Sequence, residues 1–526
     1  MKSLFPKVLS AVVLTALVIL VVPPLASPAE LTAGIAVVDI TPPQGYRMSG
    51  YFRERLNTGV RDPLHAKAIV LRQGEQRAAL VFCDLIGLSL DVSNRARKLA
   101  SEKTGIPASN ILIAATHSHT GPLYFGALRK HFHDLAVARH GNDPHEKADY
   151  PAALVGKLVR VIAEAQAAAR PVRLEAGTAR QGGLSFNRRF HMKDGSVRFN
   201  PGVLNPDIVR AAGPIDPDVG VVLVRDAAAG RPAAVLVNFA LHLDTVGGTL
   251  YAADYPFHLE QSLRSTLGDE FVLLFGVGAC GDINHIDVTR KARLKTETIG
   301  RTLAETVLLL LVKEDSCAPP QASCPSRSAS AILKVALRKP RILLLSVKAD
   351  SSWPRRSSCT CPSRSAGLNV LLEKEPKTVR TGLPKLKPVE APALAVRSTT
   401  VDAPLQQYSP AQRAQARKDM FKVGTRELPF LKQVEAYKVL ALELRGGETI
   451  PLEVQVFRLG DDVAVVGLPG EVFVELGLAI KRASPFRTTL VIELCNDAPG
   501  YIPTKKGFAE GSYETVNSRI ASGGGE

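Results

Sequence analysis

The chain has 526 residues, enough for one large core or two medium ones, and 45% of them are hydrophobic, which excludes general disorder. Its net charge of +16 would suit a nucleic-acid binder, but +11 of it falls within residues 316–388 and Lys2 and Lys7 carry two more, leaving +3 for the rest. A basic nucleic-acid groove on the body of the protein is therefore not supported.

Residues 1–29 read as an export signal: Lys2 and Lys7 start it, 9–22 are apolar, and LASPA at 25–29 offers small residues for cleavage. The apolar run is shorter than the roughly 18 residues of a membrane span. The mature chain is therefore expected outside the cytoplasm, periplasmic or secreted; uncleaved, the same run would act as a membrane anchor. Residues 30–313 alternate strand and helix signals. AALVFC at 78–83 is followed by a helical pattern at 92–104, stopped by Gly105 and Pro107, and then by ILIAA at 111–115. The pattern recurs as an apolar run at 233–240, a helix at 257–266 and FVLLF at 271–275. A third instance has a strand at 463–466, a Leu-Pro-Gly turn and a helix from Glu471 to about Ala483. Such βαβ spacing predicts an α/β protein of mixed sheets flanked by helices.

Residues 314–387 break the pattern. They are rich in Ser, Pro and Arg, hold four of the seven cysteines, and contain CPSRSA twice, at 324–329 and 361–366. Two copies make no solenoid. The helix before this stretch could run directly into PVEAPAL at 388, so the stretch is expected to be a poorly ordered insert in one catalytic domain made of 30–313 and 388–526. Cys83, Cys280 and Cys495 stand singly in apolar surroundings, as buried free thiols do. No CxxC pair offers a structural zinc knuckle. The glycine-rich end at 523–525 comes soon after functional-looking residues, which suggests a truncated C-terminus.

The residues that carry chemistry stand at strand ends. AATHSHTGP follows ILIAA and places His117 and His119 where the chain leaves the sheet, the usual place for ligands in α/β folds. NFALH puts His242 at the end of the next apolar run; alone it would be read as a core histidine, but beside His117 it is a candidate ligand. GDINH, with Asp282, Asn284 and His285, follows a third strand, and LPGE places Glu471 at an expected helix start, where the helix dipole alone would favour an acid.

ATHSHTGP resembles the ATHTHSGP signature of neutral, non-lysosomal ceramidases. The similarity extends through NFALH, ADYP at 253–256, GACGDIN, LPGE, and GYIPT with a tyrosine twelve residues on. It covers about 31–313 and 388–526. The resemblance implies an amide hydrolase with one zinc ion per chain, held by His117, His242, Glu471 and Tyr501. It implies that His119 serves the metal-bound water as proton acceptor, and that Tyr513 and Arg188, in FNRR, polarise the scissile carbonyl and orient the substrate. A small-molecule or lipid amide substrate, and with it transient contact with a membrane surface, follows from the same resemblance. Two departures bear on the substrate headgroup: Asn284 stands where the family has Ser, and His285 where it has Pro. No counterpart of the family's C-terminal β-sandwich is found in the sequence.

Two other readings belong to different classes. Asp254, Asp282, His285 and Asp287 could form an oxygen-and-nitrogen site for a metal-dependent phosphoesterase, although Asp commonly serves to stabilise tight loops. A chain altered by its insert and short end could instead be an inactive exported binding protein. A TIM-barrel amidohydrolase is disfavoured, because the His-x-His pair follows an inner strand.

Overall fold

The computed structural model describes residues 29–311, 385–390 and 393–526. The export signal expected at 1–29 lies outside the described residues except for Ala29, and the insert expected at 314–387 lies outside them except for its last three. Contacts divide the chain into one compact unit, 1–310 with 384–526, and a second, 311–383, of which only Leu311 is described. The sheets all belong to the first unit.

Continuous apolar runs such as VVLV and ILIAA can be buried on both faces, and both are strands of a nine-stranded sheet, VVLV inside it and ILIAA at one end. Its order is Val272–Val277, Pro232–Phe239, Asp218–Asp226, Arg170–Arg180, Leu31–Asp39, His65–Gln73, Gln76–Cys83 and Ile111–Ala115, with Lys387–Pro388 paired to Arg170–Arg180. Only the outermost pairs are parallel: Pro232–Phe239 with Val272–Val277, and Gln76–Cys83 with Ile111–Ala115. Each is joined by a crossover helix, Tyr255–Leu267 in one and Leu90–Thr104 in the other. A second sheet of four strands, Leu394–Pro404, Thr449–Leu459, Val463–Gly467 and Thr488–Ile492, ends in the third parallel pair, joined by helix Val474–Ala483. The expected mixed α/β architecture and its three βαβ units are all present.

The two sheets share one core. Leu80, Phe82, Leu112, Leu236 and Leu274 meet Phe457, Val463, Val465, Leu490 and Ile492 from the second sheet. Val463/Val465 and Leu490/Ile492 show the two-residue period of a strand face turned to one partner. Burying each large side chain contributes about 1.5–3 kcal/mol. The far face of the large sheet is covered by helix Tyr150–Ala167, which buries Leu154, Leu158, Val161, Ile162 and Ala165 as one stripe and is capped by the Asp149 carboxylate. Among the described residues no helix is long and apolar enough to cross a membrane.

Two features position the site. First, Leu386 N–H donates to Leu310 O at 3.3 Å, so the chain leaves and rejoins the unit at adjacent points. Second, the strand before the His-x-His pair is not the inner strand expected from the sequence but the last of the nine. Its free edge is occupied by residues 493–496, just past Thr488–Ile492. Ala115 N–H donates to Leu494 O at 3.1 Å and Asn496 N–H to Ile113 O at 2.8 Å, while Glu493 N–H donates to Val277 O, on the opposite edge strand, at 3.0 Å. One segment thus joins the two edges and brings their carboxyl ends together.

A candidate metal centre

His117 follows Ile111–Ala115, His242 follows Pro232–Phe239, and Glu471 follows Val463–Gly467; all three stand just beyond the carboxyl ends of parallel strands. The loop that carries His117 is held tightly. Thr116 N–H donates to Cys83 O, His117 and Ser118 N–H both donate to Leu85 O, and the Ser118 and Thr120 hydroxyls donate to Ala252 O. These bonds hold His117 at φ 79°, a left-handed conformation that costs a non-glycine residue about 1–3 kcal/mol and persists only where its surroundings enforce it.

The three imidazoles share one pattern. His117 Nδ1 lies 2.7 Å from Ile86 O, His119 Nδ1 3.1 Å from Gly50 O, and His242 Nδ1 3.1 Å from Cys280 O. A carbonyl only accepts, so each neutral ring carries its proton on Nδ1 and keeps its lone pair on Nε2. The Nε2 atoms converge: His117 to His242 is 2.9 Å and His117 to His119 is 3.3 Å. Facing lone pairs at these distances repel unless a proton or a cation lies among them.

Glu471 completes the convergence by an unexpected route. The helix expected from Glu471 begins at Val474, because the Asp282 carboxylate accepts Val474 N–H at 2.9 Å. Glu471 and Val472 instead form a short strand parallel to Tyr501 and Ile502, with Glu471 directly opposite Tyr501. The helix-dipole account of this acid therefore fails. Gly470 permits the turn, at φ +75° and with no room for a Cβ, which would lie 2.6 Å from Gly500 O. Glu471 Oε2 is buried without a hydrogen bond and lies 3.5 and 3.6 Å from the Nε2 atoms of His117 and His242.

Charge and burial oppose each other here. Burial pulls the His117 pKa down, but the Glu471 carboxylate outweighs it and holds the ring above its ordinary value. Burial likewise pushes Glu471 up, and His117, with Tyr501 and Arg188, brings it below the usual carboxylate range. Burial, then the neighbouring His117, lowers His119 to about 4. Burial and Arg188 hold His242 well below its ordinary value.

Arg188 is buried at the back of the site. Its Nε donates to Glu514 at 2.9 Å, Nη2 to Gly281 O at 2.7 Å and to the Tyr501 hydroxyl at 3.0 Å, and Nη1 lies 3.3 Å from His242 Nε2. Four of its five N–H groups are thus engaged. Tyr513 packs edge-on to Tyr501 with ring centres 5.5 Å apart and stacks on Phe430 at 5.6 Å.

The loop residues have separate tasks. Asp282 accepts from Val474 N–H and from the Asn187 side chain, and burial raises it to about 6. Asn284 donates to the Asn200 side chain at 2.8 Å. His285 pairs with Asp244 at 3.1 Å, and Asp244 is brought down to about 2 because that pair, with His119, outweighs its burial. Asp254 caps helix Tyr255–Leu267, and Asp287 accepts from Thr289 and Arg290 in its own turn. The four residues of the phosphoesterase reading are therefore taken up by structural hydrogen bonds and form no common cluster among the described residues.

Among the described residues, two groups have metal-ligand geometry: His117, His119 and His242, and the group His133, Asp143 and Glu146. The second is already neutralised by Arg47, 2.5 Å from Asp143, and by Arg129 on Glu146. In the first, the converging lone pairs and the unpartnered Glu471 oxygen fit a divalent cation, and imidazole with carboxylate and phenol oxygen is a donor set that suits zinc.

Sequence reasoning passed over three residues that hold the site. Glu493 Oε2 accepts Cys280 N–H at 3.1 Å and Val472 N–H at 2.7 Å; Glu514 pairs with Arg188; Asp244 pairs with His285. An acid within the apolar run TLVIELC was the available signal for Glu493. Cys83, Cys280 and Cys495 are buried free thiols, as expected.

No family model matches the chain, and no curated protein matches it. Solved structures do. The neutral ceramidase from Pseudomonas aeruginosa aligns with a TM-score of 0.58 at 18% identity over 94% of this chain and 72% of its own. A ceramidase complexed with C2 aligns with a TM-score of 0.58 at 17% identity over the same shares. At such identity the likeness is one of fold, and the chain shares the fold of these two ceramidase structures.

Proposed function

We propose that this chain is an exported zinc-dependent hydrolase that cuts the amide bond of an N-acyl lipid, as its structural neighbours' names suggest for them. The reading rests above all on the convergence of three imidazole Nε2 atoms and one unpartnered carboxylate oxygen at the strand ends. His117, His242, Glu471 and Tyr501 would hold the metal. Bound there, zinc would supply Lewis acidity and acidify water near neutral pH.

The chain's own residues do the rest. His119 is neutral at pH 7, and Gly50 O fixes its tautomer, so Nε2 is free to take a proton from attacking water and return it to the leaving nitrogen. The Tyr513 hydroxyl is the donor for the developing oxyanion. Arg188, committed through Nε and Nη2 to Glu514, Gly281 and Tyr501, acts mainly by holding Tyr501, and its Nη1 would be left for substrate when His242 Nε2 holds the metal. Phe199, Tyr513 and Phe430 form an aromatic wall suited to an acyl or sphingoid chain. The headgroup would meet the Asn284–His285 loop, where this chain departs from the family pattern.

Zinc content of the full chain, measured beside His117→Ala, tests the reading together with fatty-acid release from N-acylsphingosine and simpler N-acyl amines. One zinc per chain, lost in the variant, and amide cleavage are expected. A folded wild type without zinc, or one that cleaves phosphate esters and no amide, would sink it.

A further inference from the structure

Helix Phe430–Arg445 carries a lysine into the protein. Lys438 is 3% exposed, and its Nζ donates to Gln406 Oε1 at 2.9 Å and sits 4.9 Å from the centre of the Tyr408 ring. Gln406 is fixed for this role: its Nε2 donates to Ser518 O and Ile520 O, and its Oε1 also accepts the Tyr408 hydroxyl. No carboxylate pairs with Lys438 among the described residues. Glu435, one turn earlier, is held by Lys432 at 2.8 Å. An ammonium has three N–H groups, and Gln406 Oε1 with the Tyr408 ring replaces only part of the hydration that a buried cation without a counter-ion loses. Burial lowers Lys438 to about 8, against a weaker upward pull from Glu435, so it is still mostly charged at neutral pH.

The lysine faces a cleft of about 330 Å³ between this helix and the C-terminal segment. Leu431, Phe508 and Val516 give it apolar walls, and Lys432, Lys438 and Glu435 together leave one net positive charge. At about 30 Å³ per heavy atom, the space holds roughly ten such atoms. One cation in an apolar cleft suits a monoanion with a short hydrocarbon chain; a phosphate dianion would call for a second positive group.

We propose that this cleft is a second ligand site, separate from the metal centre, that binds a medium-chain monocarboxylate with its head on Lys438 and its chain against Leu431, Phe508 and Val516. The cleft shares no residue with the metal centre. It is joined to it through Gln406 and Ser518, whose hydroxyl donates to Tyr501 O at 2.9 Å.

Calorimetric titration of the full chain with octanoate tests the site, using the His117→Ala background so that carboxylate on the metal centre is not counted. Saturable binding at one site is expected, weakened about tenfold or more by Lys438→Met, with octanamide and inorganic phosphate not binding. No binding, equal binding by octanamide, equal binding by the Met variant, or a preference for phosphate would each overturn the proposal. Should Lys438→Met fail to fold, acetylation of Lys438 by an N-hydroxysuccinimide ester, followed by mass spectrometry, reads the same site in the unaltered lysine. Octanoate should slow it about fivefold or more, and an unchanged rate would refute the assignment.

Discussion

His117 Nε2 and His242 Nε2 stand 2.9 Å apart, although the strand before one is the last of a nine-stranded sheet and the strand before the other is the second from its opposite end. Residues 493–496 make this possible by hydrogen-bonding both edge strands, Val277 on one side and Ile113 and Ala115 on the other. A site assembled in this way depends as much on the segment between the edges as on the ligands themselves.

His119 separates two descriptions of the centre, since its Nε2 lies as close to His117 as a ligand would while its proposed task is proton transfer. His119→Ala is expected to keep one zinc per chain and to lower kcat by about 10²–10⁴. Metal analysis and kinetics on the same preparation decide: zinc lost along with activity would make His119 a ligand.

Glu493 holds the N–H groups of Val472, next to Glu471, and of Cys280, whose carbonyl orients His242. Burial raises its carboxyl to about 8 from 4.5, so the folded protein keeps a proton that the unfolded chain has released. A raised acid contributes stability that is full below about 4.5 and lost as pH rises through about 8. Glu493→Gln, which mimics the protonated form, should lack this loss. In urea denaturation of the metal-free proteins its stability relative to wild type should grow between pH 4.5 and 8, by ~1 kcal/mol or more. Glu493→Ala should weaken zinc binding about tenfold or more, and Gln should restore it. A flat difference across that pH window would show that the acid is ionised in the fold.

Glu514 is fully buried against Arg188. Glu514→Ala strands the guanidinium and should destabilise the fold by about 3–5 kcal/mol, a drop readable in thermal unfolding. A change within about 0.5 kcal/mol would mean that Tyr501 and Gly281 O satisfy Arg188 without its carboxylate.

Gly470→Ala places a methyl group 2.6 Å from Gly500 O at a φ of +75°. The turn must shift and carry Glu471 away from His117 and His242. Zinc affinity, followed by competition with a chelating dye, should fall more than global stability, which should drop by roughly 1–2 kcal/mol.

The strand Ile111–Ala115 and the helix after Gln76–Cys83 could be read locally, because an unbroken apolar run and a helical stripe ended by Gly105 are signals within a dozen residues. The start of helix Val474–Ala483 could not. It is set by Asp282, nearly two hundred residues earlier in the chain, accepting Val474 N–H, and propensity at LPGE alone pointed to Glu471. The pairing of His285 with Asp244 was equally hidden, since the two lie on different loops.

By itself the sequence determined the alternation of strand and helix, and the placing of His117, His242 and Glu471 just past strand ends, because these follow from residue periodicity and turn chemistry over short spans. Only the tertiary structure decided that His117 meets a histidine 125 residues away, that Glu471 lies opposite Tyr501, and that Glu493 holds the loops behind both. Those contacts depend on sheet register and on a segment linking two distant edges, and no local pattern of residues encodes a distance across a fold.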